Sequence, residues 1–309
     1  LQTDGWAPLA NGYYQGYARL DGFYEHALKV PTMIGTCFSE FEKNPKQPEK
    51  YDLSEEEIIS LIRERYNDKA EKIVGRRLLP ELLRELCKIE ELKWIRVHYV
   101  YPDEIDDDFI EVMATEPKIV KYLDIPIQHC NSKILKLMNR RGDGEYLRAL
   151  IAKLRERIPG IVIRTSVITG LPGEGEEEFQ ELCEFLKEQR LERVGAFPFS
   201  PEEGTPAAEM SFVDASVAQQ RAQMVESIQS RIMDEYAQEM LGKTLEVLVD
   251  GYDEEFQQFY GRTYADSPDI DGRVWIASEE ALAEGNFVKV CIDGIIDGDL
   301  TGYLVEETV

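Results

Sequence analysis

No two cysteines in this 309-residue chain stand close together: Cys37, Cys87, Cys130, Cys183 and Cys291 are isolated, and no Cys-x-x-Cys pair occurs. That excludes a compact iron-sulfur motif, which needs closely converging thiolates. An odd number of scattered cysteines also fits reduced, buried thiols better than a disulfide framework. Long apolar runs are missing too: no stretch approaches the roughly 18 residues needed to cross a bilayer. Residues 1–11 lack the basic start and apolar core of a secretory signal, so the chain reads as cytoplasmic. Positive charge is in short supply, with 35 Lys and Arg against 60 Asp and Glu and a formal net charge of -25. Such a balance repels phosphate and anionic membranes and favours basic partners, although acidic surface commonly serves solubility alone. Repeats and low-complexity tracts are absent. The chain begins with Leu1, as a fragment of a longer protein would.

What is present is enough for a real core, with 43% hydrophobic residues arranged in regular patterns. An alternating aromatic segment predicts a strand over 12–20, whereas residues 21–51, with three prolines, show neither period. A capping box at Ser54 and Glu57 opens a predicted helix; Glu71 to Val74 reads as a very short strand, and Leu78 to Ile89 as a helix. Strands over 94–101, 119–125, 161–168 and 193–199 then alternate with helices over 107–115, 132–138, 144–157 and 176–189. At most six strands in such crossover units predict a parallel sheet or partial barrel in an α/β fold. A long helix is predicted over 215–241, with Gly242 as its stop. Beyond it, short alternating runs over 245–249, 256–262, 273–276, 287–292 and 300–304 predict a small antiparallel barrel. Asp250-Gly251, Asp271-Gly272 and Asp293-Gly294 read as its turns.

Several long motifs occur in order. Trp94 to Tyr99 with Tyr101-Pro102 comes first, then Tyr122-Leu123-Asp124-Ile125-Pro126-Ile127-Gln128-His129 and Met138 to Arg141. Ile163 to Glu174 and Phe197 to Thr205 follow. Together they resemble the methylthiotransferase branch of the radical-SAM enzymes, and are most similar to the RimO type, which modifies an aspartate of a small-subunit ribosomal protein. The segment after Gly242 is similar to the TRAM barrel that ends those proteins.

The resemblance implies a radical-SAM-type partial barrel over 1–213, with 1–76 divergent or incomplete, a connecting helix over 214–241 and a TRAM-like barrel over 242–309. It also implies S-adenosylmethionine and a four-iron cluster at the carboxyl ends of the strands. Gln128, His129, Arg164, Ser166, Ile168 and Phe199 are the implied cofactor-binding residues; no catalytic residue and no metal ligand is assigned. Gly170 and Gly173 suit a tight strand-to-helix turn of structural purpose. A metal pair of His98 and His129 is weaker than the reading of each as a core histidine. Arg140 and Arg141 either clamp an anion or neutralise nearby acid. Glu174, Glu176, Glu177 and Glu178 read as a solvated first helical turn.

The resemblance also implies a cysteine triad after the first strand, in residues 21–51, where only Cys37 stands. A second deficit lies between Lys72 and Leu79, where the family has a longer strand and loop. The family's amino-terminal domain, with its second cluster, is likewise outside these 309 residues. Without three thiolates there is no electron donor to cleave the sulfonium, so little or no methylthio transfer is expected. The region from 241 to 309 holds four basic and sixteen acidic residues. That surface disfavours RNA and suits a basic ribosomal protein. Two other readings stand beside this one: a non-catalytic barrel that binds such a protein, and a different barrel enzyme using His129 or a carboxylate as general base.

Overall fold

The computed structural model describes residues 6–8, 14–16 and 77–305, and the chain divides into two units, Leu1–Leu92 and Lys93–Val309. In the first unit, strands β1 (Trp6–Pro8) and β2 (Tyr14–Gly16) pair antiparallel, with Ala7 opposite Gln15. β2 falls within the strand expected over 12–20. Helix α1 (Leu79–Cys87) carries Pro80 in its first turn, where the missing amide donor is not needed. The helix expected from Ser54, the short strand at Glu71 to Val74, and Cys37 lie outside the described residues.

The second unit opens with alternating strands and helices: β3 (Ile95–Val97), α2 (Asp107–Thr115), β4 (Ile119–Asp124), α3 (Ser132–Leu137), α4 (Gly144–Arg157), β5 (Val162–Thr169), α5 (Glu176–Gln189) and β6 (Arg193–Pro198). The four strands form one parallel sheet in the order β3-β4-β5-β6. Short polar side chains set the helix starts by accepting from amides that have no partner within the helix. Asp106 accepts from Phe109, Asn131 from Lys133 and Ile134, and Asp143 from Tyr146. The strand expected over 94–101 is shorter than its apolar run suggests. Tyr99 takes φ +59° and breaks the extended chain, and the Val100 amide is satisfied instead by the Asp124 carbonyl at 3.0 Å.

Helix α6 (Ala215–Met240) crosses behind this sheet, and its Ala218 carbonyl accepts from the Thr169 hydroxyl at 2.8 Å. Gly242, at φ +76°, turns the chain out of α6 and donates to the Ile292 carbonyl. Five strands then close a barrel in the order β10-β11-β9-β8-β7: β7 (Thr244–Asp253), β8 (Gln258–Arg262), β9 (Val274–Ala277), β10 (Phe287–Ile296) and β11 (Asp299–Leu304). Four strand pairs are antiparallel and β9 with β11 is parallel. Val247, Val249, Val274, Ile276, Val290 and Ile292 fill its centre.

Two of the expected turns in this barrel are not turns. Asp250-Gly251 and Asp293-Gly294 lie inside β7 and β10, where the register shifts between Val249 and Gly251 and between Ile292 and Gly294. These glycines mark bulges, which bend a strand enough to close a small barrel. The true hairpin tip is Asp297-Gly298, with both residues at positive φ. Among the described residues no helix is long and apolar enough to cross a membrane.

Candidate functional site

Beyond the end of β4 the chain stays beside β5. The Ile125 amide donates to the Arg164 carbonyl at 2.8 Å, the Gln128 amide to the Ser166 carbonyl at 2.9 Å, and the Ile168 amide to the Gln128 carbonyl at 2.8 Å. Gln128 is therefore bridged to β5 while holding φ +67°, a region that side chains other than glycine rarely occupy.

The residue after this strained position, His129, is fully buried. Its Nδ1 accepts from the Asn131 amide at 2.9 Å, which leaves the proton on Nε2, facing Glu174 Oε2 at 3.4 Å. At that separation the pair attracts without a formed hydrogen bond. Glu174 Oε1 accepts from the Gly170 amide and from Arg221 of α6, both at 2.8 Å. The sequence groups Glu174 with Glu176, Glu177 and Glu178 as solvated; the structure corrects this, because Glu174 precedes α5 and is only 3% exposed. Gly170 and Gly173, at φ +78° and +81°, fold the turn so that this carboxylate reaches back under the end of β5. Glu178 is also engaged, with Lys133 at 2.7 Å and the Gly175 amide at 2.8 Å, and these contacts hold its carboxyl down to about 2.

Alternation along β5 sets two faces. Thr165, Val167 and Thr169 are buried, with Thr169 bonded to α6; Arg164, Ser166 and Ile168 lie on the opposite face. There Arg164 pairs with Asp124 at 2.8 Å. Desolvation pushes the Asp124 carboxyl above its usual range even though Arg164 opposes the shift. Asp124 Oδ1 and Arg96 Nη1 are buried without a hydrogen-bond partner.

The amino end of the same face is closed by the loop between β8 and β9. Tyr122 donates to Asp271 at 2.6 Å, Arg193 to Asp266 at 2.9 Å, and Arg96 to the Asp266 carbonyl at 2.7 Å. Ser267 lies 3.4 Å from His98 Nε2. Burial first, then the Arg96 charge, pushes the His98 imidazole below its ordinary value. Access to the face is thereby left to the carboxyl ends of the strands.

Gln128, Arg164, Ser166 and Ile168 thus sit together along neighbouring strands, with Gln128 and Ile168 half-buried and Ser166 buried. Phe199 lies beside them in the chain direction: its amide donates to the Thr169 carbonyl, and its ring packs edge-on against Phe212 with centroids 5.3 Å apart. His129 belongs to the packing beneath the strand ends. Arg140 donates to the Pro126 carbonyl at 2.8 Å and Arg141 lies 3.5 Å from Asp103, so both serve local structure. Sequence reasoning missed Arg221, Asp266 and Asp271 as parts of this region. Each stands in a polar stretch with nothing to mark it, and their partners lie 47, 73 and 149 positions away.

The fit to a cluster is poor among the described residues. Cys130 and Cys183 are buried, and desolvation raises both thiols, Cys130 to about 12, opposing the thiolate that iron requires. No group of three His, Cys, Asp or Glu among the described residues could hold a metal ion.

Sequence comparison adds lineage to this geometry. The family model described as the Radical SAM superfamily matches residues 31–186, and the TRAM domain model matches residues 241–305. A "Ribosomal protein uS12 methylthiotransferase RimO" of Lachnoclostridium phytofermentans is 46% identical over 231 residues, 74% of this chain and 52% of its own length. Its counterpart in Anaeromyxobacter sp. (strain Fw109-5) is 43% identical over 249 residues, 80% and 53% respectively. That of Acetivibrio thermocellus is 44% identical over 237 residues, 76% and 52%. The chain spans about half the length of the curated relatives it matches.

Proposed function

The chain belongs to the radical SAM superfamily, and from that membership we propose that it derives from RimO-like methylthiotransferases of ribosomal protein uS12 but does not turn over as written. The superfamily implies S-adenosylmethionine and a four-iron cluster, which together supply one-electron cleavage of the sulfonium. One observation carries the reading of inactivity. Residues 21–51 offer Cys37 alone, and the cysteines among the described residues form no metal-binding group. In this reading Gln128, Arg164, Ser166, Ile168 and Phe199 line the cofactor cavity, His129 supports it from below, and the acidic barrel meets a basic ribosomal protein in the cytoplasm. The amino-terminal division is residues 1–213, joined by 214–241 to the barrel at 242–309.

Anaerobic reconstitution with iron and sulfide tests this directly. The expected result is a colourless protein that leaves S-adenosylmethionine intact; four-iron absorbance and spin resonance with cleavage of the cofactor would overturn it. A second reading, a non-catalytic binder, is favoured by the excess of acid in residues 241–309. It requires salt-sensitive binding of the ribosomal protein, and failure to bind at low salt would sink it.

A further inference from the structure

The outward face of the closed barrel carries an aromatic shelf that the proposed chemistry does not use. Tyr260 on β8 pairs with Trp275 on β9, and this row continues to Gly251 on β7 and Thr301 on β11. Gly251 lets the Tyr260 ring lie flat across β7, since a Cβ there would stand 2.9 Å from the tyrosine hydroxyl. The Trp275 indole is fixed by donating to Asp299 at 3.0 Å. Phe256, at the β7–β8 turn, lies 5.0 Å from Trp275 and is 63% exposed. Its position is set locally, because Asp253 accepts from the Glu255 and Phe256 amides. These rings are held in place before any partner arrives.

The chain itself shows what such rings hold. The Arg273 guanidinium lies 4.9 Å from the Tyr260 ring centre and 5.4 Å from that of Trp275. Exposed carboxylates flank the shelf, with Glu254 and Glu255 beside Phe256 and Glu279 beyond the end of β9. Aromatic faces also stack nucleic-acid bases, but phosphates must then be neutralised, and this barrel holds four basic residues against sixteen acidic ones from 241 to 309. Of the basic residues nearest the shelf, Arg262 is paired with Asp250 and Arg273 is on the rings.

We propose that Phe256, Tyr260 and Trp275, with Glu254, Glu255 and Glu279, form a docking surface for an arginine-bearing segment of a basic protein. Arg273 already covers the Tyr260 and Trp275 rings, so the partner's guanidinium lies on the exposed Phe256 ring beside them and meets the carboxylates. This locates the partner face of the reading above and rests on that reading only for the partner's identity.

The test uses the full chain and a fluorescent arginine-rich peptide, with a lysine counterpart and a single-stranded oligonucleotide as controls, followed by anisotropy. Phe256→Ala is expected to weaken the arginine peptide about fivefold or more. Its exposed position keeps the melting temperature unchanged. Glu254→Gln with Glu255→Gln is expected to weaken binding and flatten its salt dependence. Tighter binding of the oligonucleotide, or arginine-peptide binding indifferent to both variants, overturns the proposal. So does the absence of arginine-peptide binding at low salt. If the peptide binds through Phe256 while ribosomal protein uS12 does not bind, the shelf stands and the partner assigned above fails.

Discussion

The Tyr122 hydroxyl donates to Asp271 Oδ2 at 2.6 Å, joining the middle of β4 to a loop of the closed barrel 149 positions later in the chain. Asp271 Oδ2 also accepts from the Ser267 amide at 2.8 Å. Tyr122→Phe therefore removes one of two donors, and is expected to cost about 1–2 kcal/mol. Asp271→Ala strips the acceptor from Tyr122 and Ser267 and removes the negative charge 3.8 Å from Arg193, and should cost more. Urea midpoints of the full chain read both, and equal midpoints for wild type and Asp271→Ala would show that the loop does not stabilise the unit.

Glu174 holds Gly170, Arg221 and His129 at once, inside the protein. Glu174→Ala strips the buried Gly170 amide of its acceptor and leaves the Arg221 guanidinium only the carbonyl of residue 174 and Glu176, a change expected to cost about 3–5 kcal/mol. Glu174→Gln keeps the volume and one acceptor, so it should fall between. A cost for Glu174→Ala within about 0.5 kcal/mol of zero, typical of surface sites, would remove the network from the account.

Two glycines separate backbone strain from crowding. Gly170 stands at φ +78° with an added Cβ only 2.5 Å from the Ala218 Cβ, whereas Gly204, at φ +82°, has nothing within 4 Å. Gly204→Ala should cost about 1–2 kcal/mol, the backbone share alone. Gly170→Ala should exceed it by about 1–3 kcal/mol, since α6 must move. Denaturation midpoints compare them, and equal costs would mean that α6 yields freely.

Acid should weaken the second unit through His98. Its folded value lies below the ordinary 6.5 because burial, and then Arg96, disfavour the imidazolium. As pH falls through about 6.5, the unfolded chain takes up a proton that the folded protein still refuses. Stability is therefore lost from that point down toward the folded value. His98→Gln is expected to flatten this part of the stability curve, measured by urea midpoints between about pH 7.5 and 5.5. An unchanged slope would place the acid sensitivity elsewhere.

Periodicity made most of the second unit legible, because each helix buries one stripe and β5 is covered by α6 on one face. The ends of α2, α4 and α5 agree with expectation because Asp106, Asp143 and the Gly175–Glu178 contact write their starts into neighbouring residues. Tyr99 and Gln128 were not legible, since positive φ at a tyrosine or glutamine leaves no local signature. Nor were the two bulges, because Asp-Gly reads alike in a bulge and a turn. Motif resemblance could nominate residues along β5 and at Gln128, but the depth of His129 and Glu174 was not legible. Their burial depends on Arg221, whose charge at residue 221 carries no information about a partner 47 positions earlier.

The loop from Thr263 to Asp271 also bears on how portable the closed barrel is. Of its three aspartates, Asp266 pairs with Arg193 and Asp271 accepts from Tyr122, while the Asp266 carbonyl accepts from Arg96, so these partners lie outside the barrel's own strands. Grafting the barrel onto another sheet would carry two buried carboxylates into a surface without their counterparts. The smallest exchangeable piece is thus the barrel together with the stretches of β3, β4 and β6 that carry Arg96, Tyr122 and Arg193. Recombination between relatives within α6 would preserve the fold only where both parents hold that same set of charges.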